Sequence, residues 1–224
     1  MRKKKKLVCG VGINDADYVV GTREVVKCEG VEGKRQQLRI CPFYRRWADM
    51  LKRCYSRKYH ESCPTYSDCY VCEEWLTFSN FKAWMEKQDW EGKQLDKDIL
   101  NPGNKEYSPE TCIFVDKKTN IFLTDAKASR GEFPIGVCWH RGANKFQALC
   151  GDGSGKQKHL GCFNTELEAH KAWLAFKLEQ AKILAAEQSD PRVAKALIER
   201  YSNYAAVTNA GSATGGVVSS TFRW

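Results

Sequence analysis

The chain has 224 residues, a formal net charge of +9 and a 42% hydrophobic share that includes seven Trp, nine Tyr and ten Phe. This composition supplies packed cores for one large or two small domains and excludes general disorder over most of the length. No apolar run approaches the ~18–20 residues that span a bilayer, and no signal-peptide pattern follows the Lys-rich start, so we expect a soluble cytoplasmic protein without a membrane partner. Its eleven cysteines are then expected to be reduced thiols.

Charge is distributed in blocks along the chain. Residues 1–60 carry 16 Lys and Arg against 6 Asp and Glu, residues 61–126 carry 7 against 13, and residues 127–164 carry 6 against 2. Basic blocks on both sides of an acidic centre are typical of a protein whose surface meets phosphate while the centre holds a cation. The alternative is that these charged residues lie on surfaces that face solvent and bind no partner, which would give the same pattern.

The first 41 residues form a basic arm whose short apolar runs indicate two short strands. From Pro42 to Tyr59, apolar residues recur at steps of three and four, which predicts an amphipathic helix with Pro42 in its first turn. The other face of this helix is basic, and it either follows a DNA backbone or is solvated. The candidates for DNA contact on it are Arg45, Arg46 and Arg53.

A second helix is predicted near Ser79, a suitable N-cap, and it breaks at Glu91-Gly92. From Leu95 to Asn120 the sequence has a strand-like start, a Pro/Gly/Asn loop, an apolar strand and the polar start of a helix. A strand, loop, strand, helix unit is therefore predicted within a domain that spans residues 42–126.

Three short strands are predicted after a basic linker that begins at Lys127, with the turns HRGAN and GDGSGK between them. Thr165 and Glu168 form a capping-box pattern for a long helix to about residue 188, and Asp190-Pro191 opens a shorter helix to about residue 205. Residues 206–224 are small and almost uncharged, which indicates a flexible tail. A three-stranded sheet with a helix on one face leaves the other face free for a DNA groove.

This C-terminal region has a specific residue pattern: Gly136-Val137, Trp139, Lys145-Phe146-x-Ala148, His159-Leu160-Gly161-x-Phe163 and Thr165. The pattern resembles the DNA-binding domain of the plant Apetala and ethylene-response factors, which also occurs in phage homing endonucleases. The resemblance implies that the sheet contacts bases and phosphates, with this role assigned by position to Trp139, Arg141, Lys145, Gln147 and Lys158. Trp139 as a core residue is the alternative. Ile135 stands where the family usually has Arg, which leaves base specificity open.

Three motifs lie around the predicted strand-strand-helix unit: W-x-x-M-L-x-R-C-Y (residues 47–55), V-C-x-x-W (71–75) and Y-S-P-E-x-C (107–112). They resemble the HNH-type homing endonucleases of phages over residues 42–120. The resemblance implies one divalent cation held by Asp96 and Asn120, with Asn104 orienting the loop. Oxygen ligands favour Mg²⁺ or Mn²⁺.

Lys97 stands where most members of this family have the general-base histidine. Lysine is a poor base unless its pKa is strongly lowered, so Asp98 is the substitute candidate. The pair Cys69-x-x-Cys72, with Cys54 and Cys63 nearby, invites a zinc interpretation. No second CxxC follows, and buried thiols are the better interpretation, so zinc is not expected.

The sequence thus predicts an α+β fold: a helical N-terminal half with a small HNH-like unit, then a three-stranded antiparallel sheet packed on a long helix. The expected division is 1–41, 42–126, 127–188, 189–205 and 206–224. The expected function is a phage-type HNH homing endonuclease in the host cytoplasm, which binds double-stranded DNA and nicks or cleaves it by metal-assisted hydrolysis. A non-catalytic DNA-binding regulator on a degenerate HNH scaffold is the alternative, and a protein-binding or inhibitor role is a more distant one.

Overall fold

The computed structural model of the protein describes residues 7–27, 34–124, 132–151 and 155–212. The fold is α+β, as expected, with small sheets and six α-helices in these residues. The chain divides into two compact units, Met1–Val115 and Asp116–Trp224. Parts of the expected N-terminal arm, linker and tail (1–6, 28–33, 125–131 and 213–224) lie outside the described residues. None of the described helices is long and apolar enough to cross a membrane.

The first unit combines three helices with three two-stranded sheets among its described residues. Its helices are α1 (Pro42–Tyr55), α2 (Arg57–Ser62) and α3 (Phe78–Met85). Its strands are β1 (Gly21–Lys27), β2 (Lys34–Ile40), β3 (Tyr70–Val71), β4 (Gln94–Asp96), β5 (Glu106–Tyr107) and β6 (Ile113–Val115). The pairs β1–β2 and β4–β6 are antiparallel, and the pair β3–β5 is parallel.

The helix predicted over residues 42–59 is two helices. The backbone of Ser56 is extended (φ −92°, ψ 110°), and its side chain accepts a hydrogen bond from the Tyr59 amide at the start of α2. Serine is a favoured N-cap because its hydroxyl satisfies an amide that the first turn leaves free. The apolar period continues across this break, which is why periodicity alone missed it.

The N-cap predicted for α3 was wrong. The helix begins at Phe78 with Thr77 in the N-cap position, and neither Thr77 nor Ser79 caps it through its side chain. Instead, the Ser79 amide donates to Asp15 Oδ1 at 2.9 Å. A distant carboxylate satisfies the helix N-terminus, where negative charge is favourable.

The core of the first unit is built mainly from aromatic side chains. Trp47, Trp75, Phe78 and Phe81 are fully buried in one cluster. The Trp47 Nε1–H donates a 2.7 Å hydrogen bond to the Trp75 carbonyl, which ties α1 to the turn before α3. The strands β4 and β6 join this cluster through buried apolar side chains, Leu95 and Phe114. The loop that follows β4 is therefore anchored on a rigid base.

The second unit contains a three-stranded antiparallel sheet and three helices. Its elements are α4 (Lys117–Leu123), β7 (Val137–His140), β8 (Lys145–Gly151), β9 (Gln157–Phe163), α5 (Glu166–Ala186) and α6 (Pro191–Ser212). The strand order is β7-β8-β9, and α5 packs on the sheet while α6 packs on α5. The predicted sheet and long helix are present.

The ends of the long helices follow the sequence signals in part. The capping box at α5 is confirmed, since the Glu168 amide donates to Thr165 Oγ1 and the Thr165 amide donates to Glu168 Oε2, each at 3.2 Å. Pro191 opens α6, as expected. This helix continues to Ser212, so residues 206–212 are helical rather than part of the tail expected from residue 206. Small residues such as alanine favour helix once a preceding turn exists.

Candidate nucleic-acid interface and carboxylate site

One face of the β7-β8-β9 sheet is covered by α5. Ala148 and Cys150 of β8 are buried, and Cys150 packs in one cluster with Trp173 and Leu174 of α5. Residues opposite one another in an antiparallel pair share a face, and successive residues alternate between faces. The strand pairing therefore defines the residues on the face away from α5 as Cys138, His140, Lys145, Gln147, Leu149, His159 and Cys162.

The face away from α5 carries hydrogen-bonding and basic side chains. His140, Lys145 and His159 are exposed, and Gln147 lies half-buried between them. The Gln147 Oε1 accepts from Cys138 Sγ at 3.8 Å, and His159 Nε2 lies 3.6 Å from Cys162 Sγ. Lysine and glutamine are side chains that bind guanine and adenine edges in the major groove. This face therefore presents exposed basic and hydrogen-bonding side chains.

His140 is positioned by the turn between β7 and β8. Its Nδ1 accepts from the Ala143 amide at 3.0 Å. In the neutral ring, Nε2 then carries the proton and is left as a donor. His140 and His159 both lie on the face away from α5.

The five sheet residues assigned to DNA are not all on one face. Lys145 and Gln147 lie on the face away from α5, and Arg141 is exposed in the turn beside it. Trp139 pairs with Phe146, its ring centroid 4.8 Å away, on the α5 side of the sheet, where it is 40% exposed. Lys158 is also on the α5 side, with Nζ 4.7 Å from the centroid of the Phe176 ring. The roles of all five in DNA contact stay predictions.

The position of Lys158 depends on an irregularity in the pairing of β8 with β9. Ala148 pairs with Gly161, whereas Leu149 pairs with His159, so a shift of register falls between them. A bulge of this kind exchanges the faces of the residues beyond it. Sequence alternation through the strand would have missed this exchange.

The first unit places Asp96, Lys97 and Asp98 at the end of β4. Asp96 Oδ1 accepts from the amides of Asp98 at 2.7 Å and Ile99 at 2.8 Å, which holds the chain in a tight turn. Burial raises the pKa of Asp96, and the two amide hydrogen bonds oppose this shift only in part. Asp96 Oδ2 has no hydrogen-bond partner among the described residues.

Lys97 and Asn104 close the loop between β4 and β5. Lys97 is only 5% exposed, and its Nζ donates to Asp98 Oδ1 and to the Asn104 carbonyl, each at 2.6 Å. Asn104 Nδ2 donates in turn to the carbonyls of Lys97 at 3.0 Å and Glu106 at 2.6 Å. Asn104 thus orients the loop, and Lys97 Nζ donates hydrogen bonds to two acceptors in it.

The basic face of α1 is divided between solvent and the protein interior. Arg45 is exposed. Arg46 Nη2 donates to the Lys93 carbonyl at 2.7 Å.

Arg53 hydrogen-bonds Tyr107 and lies with its guanidinium 6.0 Å from the centroid of the Tyr66 ring. Burial raises the pKa of Tyr66, the charge of Arg53 lowers it in part, and the charges of Asp98 and Asp96 raise it further.

Asn120, the second assigned metal ligand, lies in α4 of the second unit. The helix begins with Asp116 as N-cap, whose carboxylate accepts from the Thr119 amide at 2.8 Å and from its hydroxyl at 2.7 Å. The backbone amide of Asn120 donates to the backbone carbonyl of Asp116. Among the described residues, no group of three or more His, Cys, Asp and Glu side chains is arranged to hold a metal ion.

The cysteines near the CxxC motif lie in or against the aromatic core. Cys54 and Cys69 are buried, and Cys72 packs against the same cluster. Burial raises the pKa of Cys54 to about 12 and also raises the pKa of Cys69 and Cys72. Burial thus disfavours the thiolate form of these cysteines, which is the form that binds metal.

The described residues thus offer a basic sheet face in the second unit and a carboxylate turn in the first. Comparison of the chain with protein-family models, with curated proteins and with solved structures returned no match.

Proposed function

We propose that the protein binds double-stranded DNA through the β7-β8-β9 sheet. The observation that carries this proposal is the face away from α5, on which Lys145, Gln147, His140 and His159 stand together. A ribbon of two or three strands fits the major groove, where such side chains meet base edges. The exposed Arg141 lies at the edge of this face, where it is suited to a phosphate.

The charge of the chain supports the same proposal. The chain carries a net +9, with basic blocks in residues 1–60 and 127–164. Each phosphate that a lysine or arginine neutralises releases a counterion, so binding weakens steeply as salt rises. Arg45 is the exposed member of the three basic residues proposed on α1 and is suited to such a contact.

For the chemistry we propose phosphodiester hydrolysis of the HNH type, with one Mg²⁺ or Mn²⁺. The resemblance assigns the metal to Asp96 and Asn120, and the ion would activate water and stabilise the charge that develops on the phosphate. Asp96 fits a ligand role because its Oδ1 is held by two amides while Oδ2 is without a described partner. Asn104 keeps the loop in place, and Asp98 is the proposed base.

A non-catalytic DNA-binding regulator is the second candidate, and one observation favours it. Lys97 occupies the general-base position, yet its Nζ donates to two acceptors and is buried. A group held in this way does not accept a proton from water. Catalysis then depends on Asp98, whose carboxylate forms an ion pair with Lys97.

Binding is tested first, with the full chain and a labelled duplex followed by fluorescence anisotropy at several salt concentrations. We expect affinity to fall with salt and the double variant Lys145→Ala, Gln147→Ala to weaken binding by about tenfold or more. Lys195→Gln, which alters an exposed lysine of α6, is the control and should leave affinity within about twofold. Absence of binding at low salt contradicts the proposal.

Cleavage is tested on supercoiled DNA with Mg²⁺ and with Mn²⁺. Nicking by the native chain that is lost in Asp96→Asn, with DNA affinity retained, supports the endonuclease. Binding without nicking under either metal supports the regulator. Equal nicking by native protein and Asp96→Asn removes Asp96 from the proposed site.

A further inference from the structure

The second unit contains a cavity of about 600 Å³ between α4, α5 and the ends of β8 and β9. Its described lining includes four lysines, Lys117, Lys118, Lys156 and Lys177, and no acidic residue. Small-molecule sites commonly have volumes of ~300–1,000 Å³. The volume therefore matches a nucleotide-sized ligand.

Three of these lysines, Lys117, Lys118 and Lys177, bring the positive charge that favours an anionic ligand. Lys118 has a counterion, Glu187, at 2.7 Å, but Glu187 does not line the cavity. Lys177 Nζ lies 3.5 Å from the centroid of the Phe122 ring, which is a cation–π contact, and no carboxylate of the described residues pairs with it. Burial lowers the pKa of Lys177 to about 8, and Arg200 lowers it further while Cys150 opposes the shift. An anion in the cavity would relieve this repulsion.

The remaining wall of the cavity is apolar. Ile121 and Ile183 line it and are 59% and 57% exposed, among the most exposed large hydrophobic side chains of the described chain. Exposed apolar side chains beside a charged cluster match a ligand with an apolar part and an anionic part. Inorganic phosphate alone would leave the isoleucines in water.

We propose that this cavity binds a nucleotide, with its phosphate on Lys117, Lys118 and Lys177 and its sugar or base on Ile121 and Ile183. The nucleotide is either a free molecule or one unit of a DNA strand, since both present the same chemistry. Binding of a free nucleotide does not depend on the proposed function. Binding of a nucleotide within a DNA strand rests on the proposed function and would add a second contact between the same unit of the protein and DNA.

Both sources are tested on the full chain with a common set of variants. Binding of ATP, with adenosine as the control without phosphate, is measured by calorimetry, and duplex binding is measured by anisotropy. Lys117→Gln and Ile183→Glu alter exposed cavity residues and should therefore preserve folding, which circular dichroism checks. Lys195→Gln again provides an exposed lysine of the same unit outside the cavity.

We expect Lys117→Gln to weaken binding by about tenfold, since a hydrogen bond to a charged group contributes on this scale. We expect at least as large an effect from Ile183→Glu, because it removes an apolar contact and places a negative charge beside the phosphate. ATP binding that adenosine does not reproduce, and that these two variants weaken, supports a free nucleotide. Unmeasurable ATP binding, with duplex binding weakened by both variants and unchanged in Lys195→Gln, supports a nucleotide of the strand. No effect on either ligand, or an equal effect of Lys195→Gln, overturns the proposal.

Discussion

The side chains of Lys97 and Asn104 each donate a hydrogen bond to the backbone carbonyl of the other residue. The Lys97 ammonium donates to the Asn104 carbonyl at 2.6 Å, and the Asn104 amide donates to the Lys97 carbonyl at 3.0 Å. The two residues thereby fix both ends of the loop after β4, next to the carboxylate turn of Asp96. Lys97, which stands where the resemblance would place a general base, is thus part of the hydrogen-bonded scaffold of this loop.

Replacement of Asn104 by alanine tests this scaffold. The variant loses two hydrogen bonds donated to carbonyls and one accepted from the Glu106 amide, and we expect it to lose about 2–4 kcal/mol of unfolding free energy. Urea denaturation gives the value. Asn101→Ala, at an exposed position of the same loop, is the control and should change stability by less than about 0.5 kcal/mol. Equal stabilities of the two variants would contradict the assignment.

Replacement of Lys97 by methionine tests its role as a structural cation. Methionine keeps an apolar stem of similar length but leaves the Asn104 carbonyl and the Asp98 carboxylate without their donor, so we expect a loss of about 2–3 kcal/mol. Lys105→Met removes an exposed ion pair with Asp68 and should cost less than about 1 kcal/mol. A Lys97→Met protein as stable as the Lys105→Met control would show that the buried ammonium contributes little.

Replacement of Asp96 by asparagine separates stability from function. Burial raises the pKa of Asp96 in the folded state, so the ionised carboxylate is less favourable there than in the unfolded chain. At a pH below the pKa of Asp96 in the unfolded chain, this residue causes no loss of stability. The protein loses stability as the pH rises through the pKa of Asp96 in the folded state. We therefore expect Asp96→Asn to be as stable as the native protein at pH 4 and at least as stable at pH 7.

The measurement is urea denaturation at both pH values, with the exposed Asp49→Asn as the control. Asparagine retains an oxygen that accepts from the amides of Asp98 and Ile99, so the turn should persist. A variant markedly less stable than the native protein at pH 7 would show that Asp96 serves the fold rather than a ligand.

The sequence predicted those elements whose signals are local. The capping box of Thr165 and Glu168 and the start of α6 at Pro191 needed only neighbouring residues. The N-cap role given to Ser79 was wrong because Asp15, far away in the sequence, accepts from the Ser79 amide. Tertiary hydrogen bonds of this kind leave no mark in a local pattern.

The candidate sites, too, could be predicted only where the signal lies in neighbouring residues. Asp96 and Asn104 were singled out by their motif, and both are fixed by hydrogen bonds in the loop after β4. The placement of Lys158 on the α5 side depends on a register shift in β8–β9 that no alternation of residues reveals. The cavity lysines come from three separate parts of the chain, so only folding brings them together.

Replacement of Gly136 by alanine tests the packing of α5 on the sheet. Gly136 has φ +81°, a conformation that side chains with a Cβ rarely adopt, and a Cβ there would overlap the indole ring of Trp173. We expect a loss of about 3 kcal/mol or more and a matching loss of DNA binding at 37 °C. Gly142→Ala, in the turn before β8, is the control, because the nearest side-chain atom to its Cβ would be at 3.4 Å. Thermal denaturation showing equal melting temperatures would contradict this packing.

Replacement of Lys177 by methionine tests the charge state of the lysine cavity. Burial lowers the folded-state pKa of Lys177 to about 8, whereas an unfolded lysine titrates near ~10.4. Between these values the unfolded chain binds more protons, so this group makes stability increase as pH rises. From pH 7.5 to 9.5 the native protein should gain about 1–2 kcal/mol relative to Lys177→Met. Urea denaturation of both proteins at the two pH values gives this difference, in which groups that titrate alike in both proteins cancel. Lys182→Met, on the same helix but with its lysine exposed beside Glu179, should show the pH dependence of the native protein. If Lys177→Met keeps the native pH dependence, Lys177 is charged in the cavity as it is in water, and the repulsion that an anion would relieve is absent.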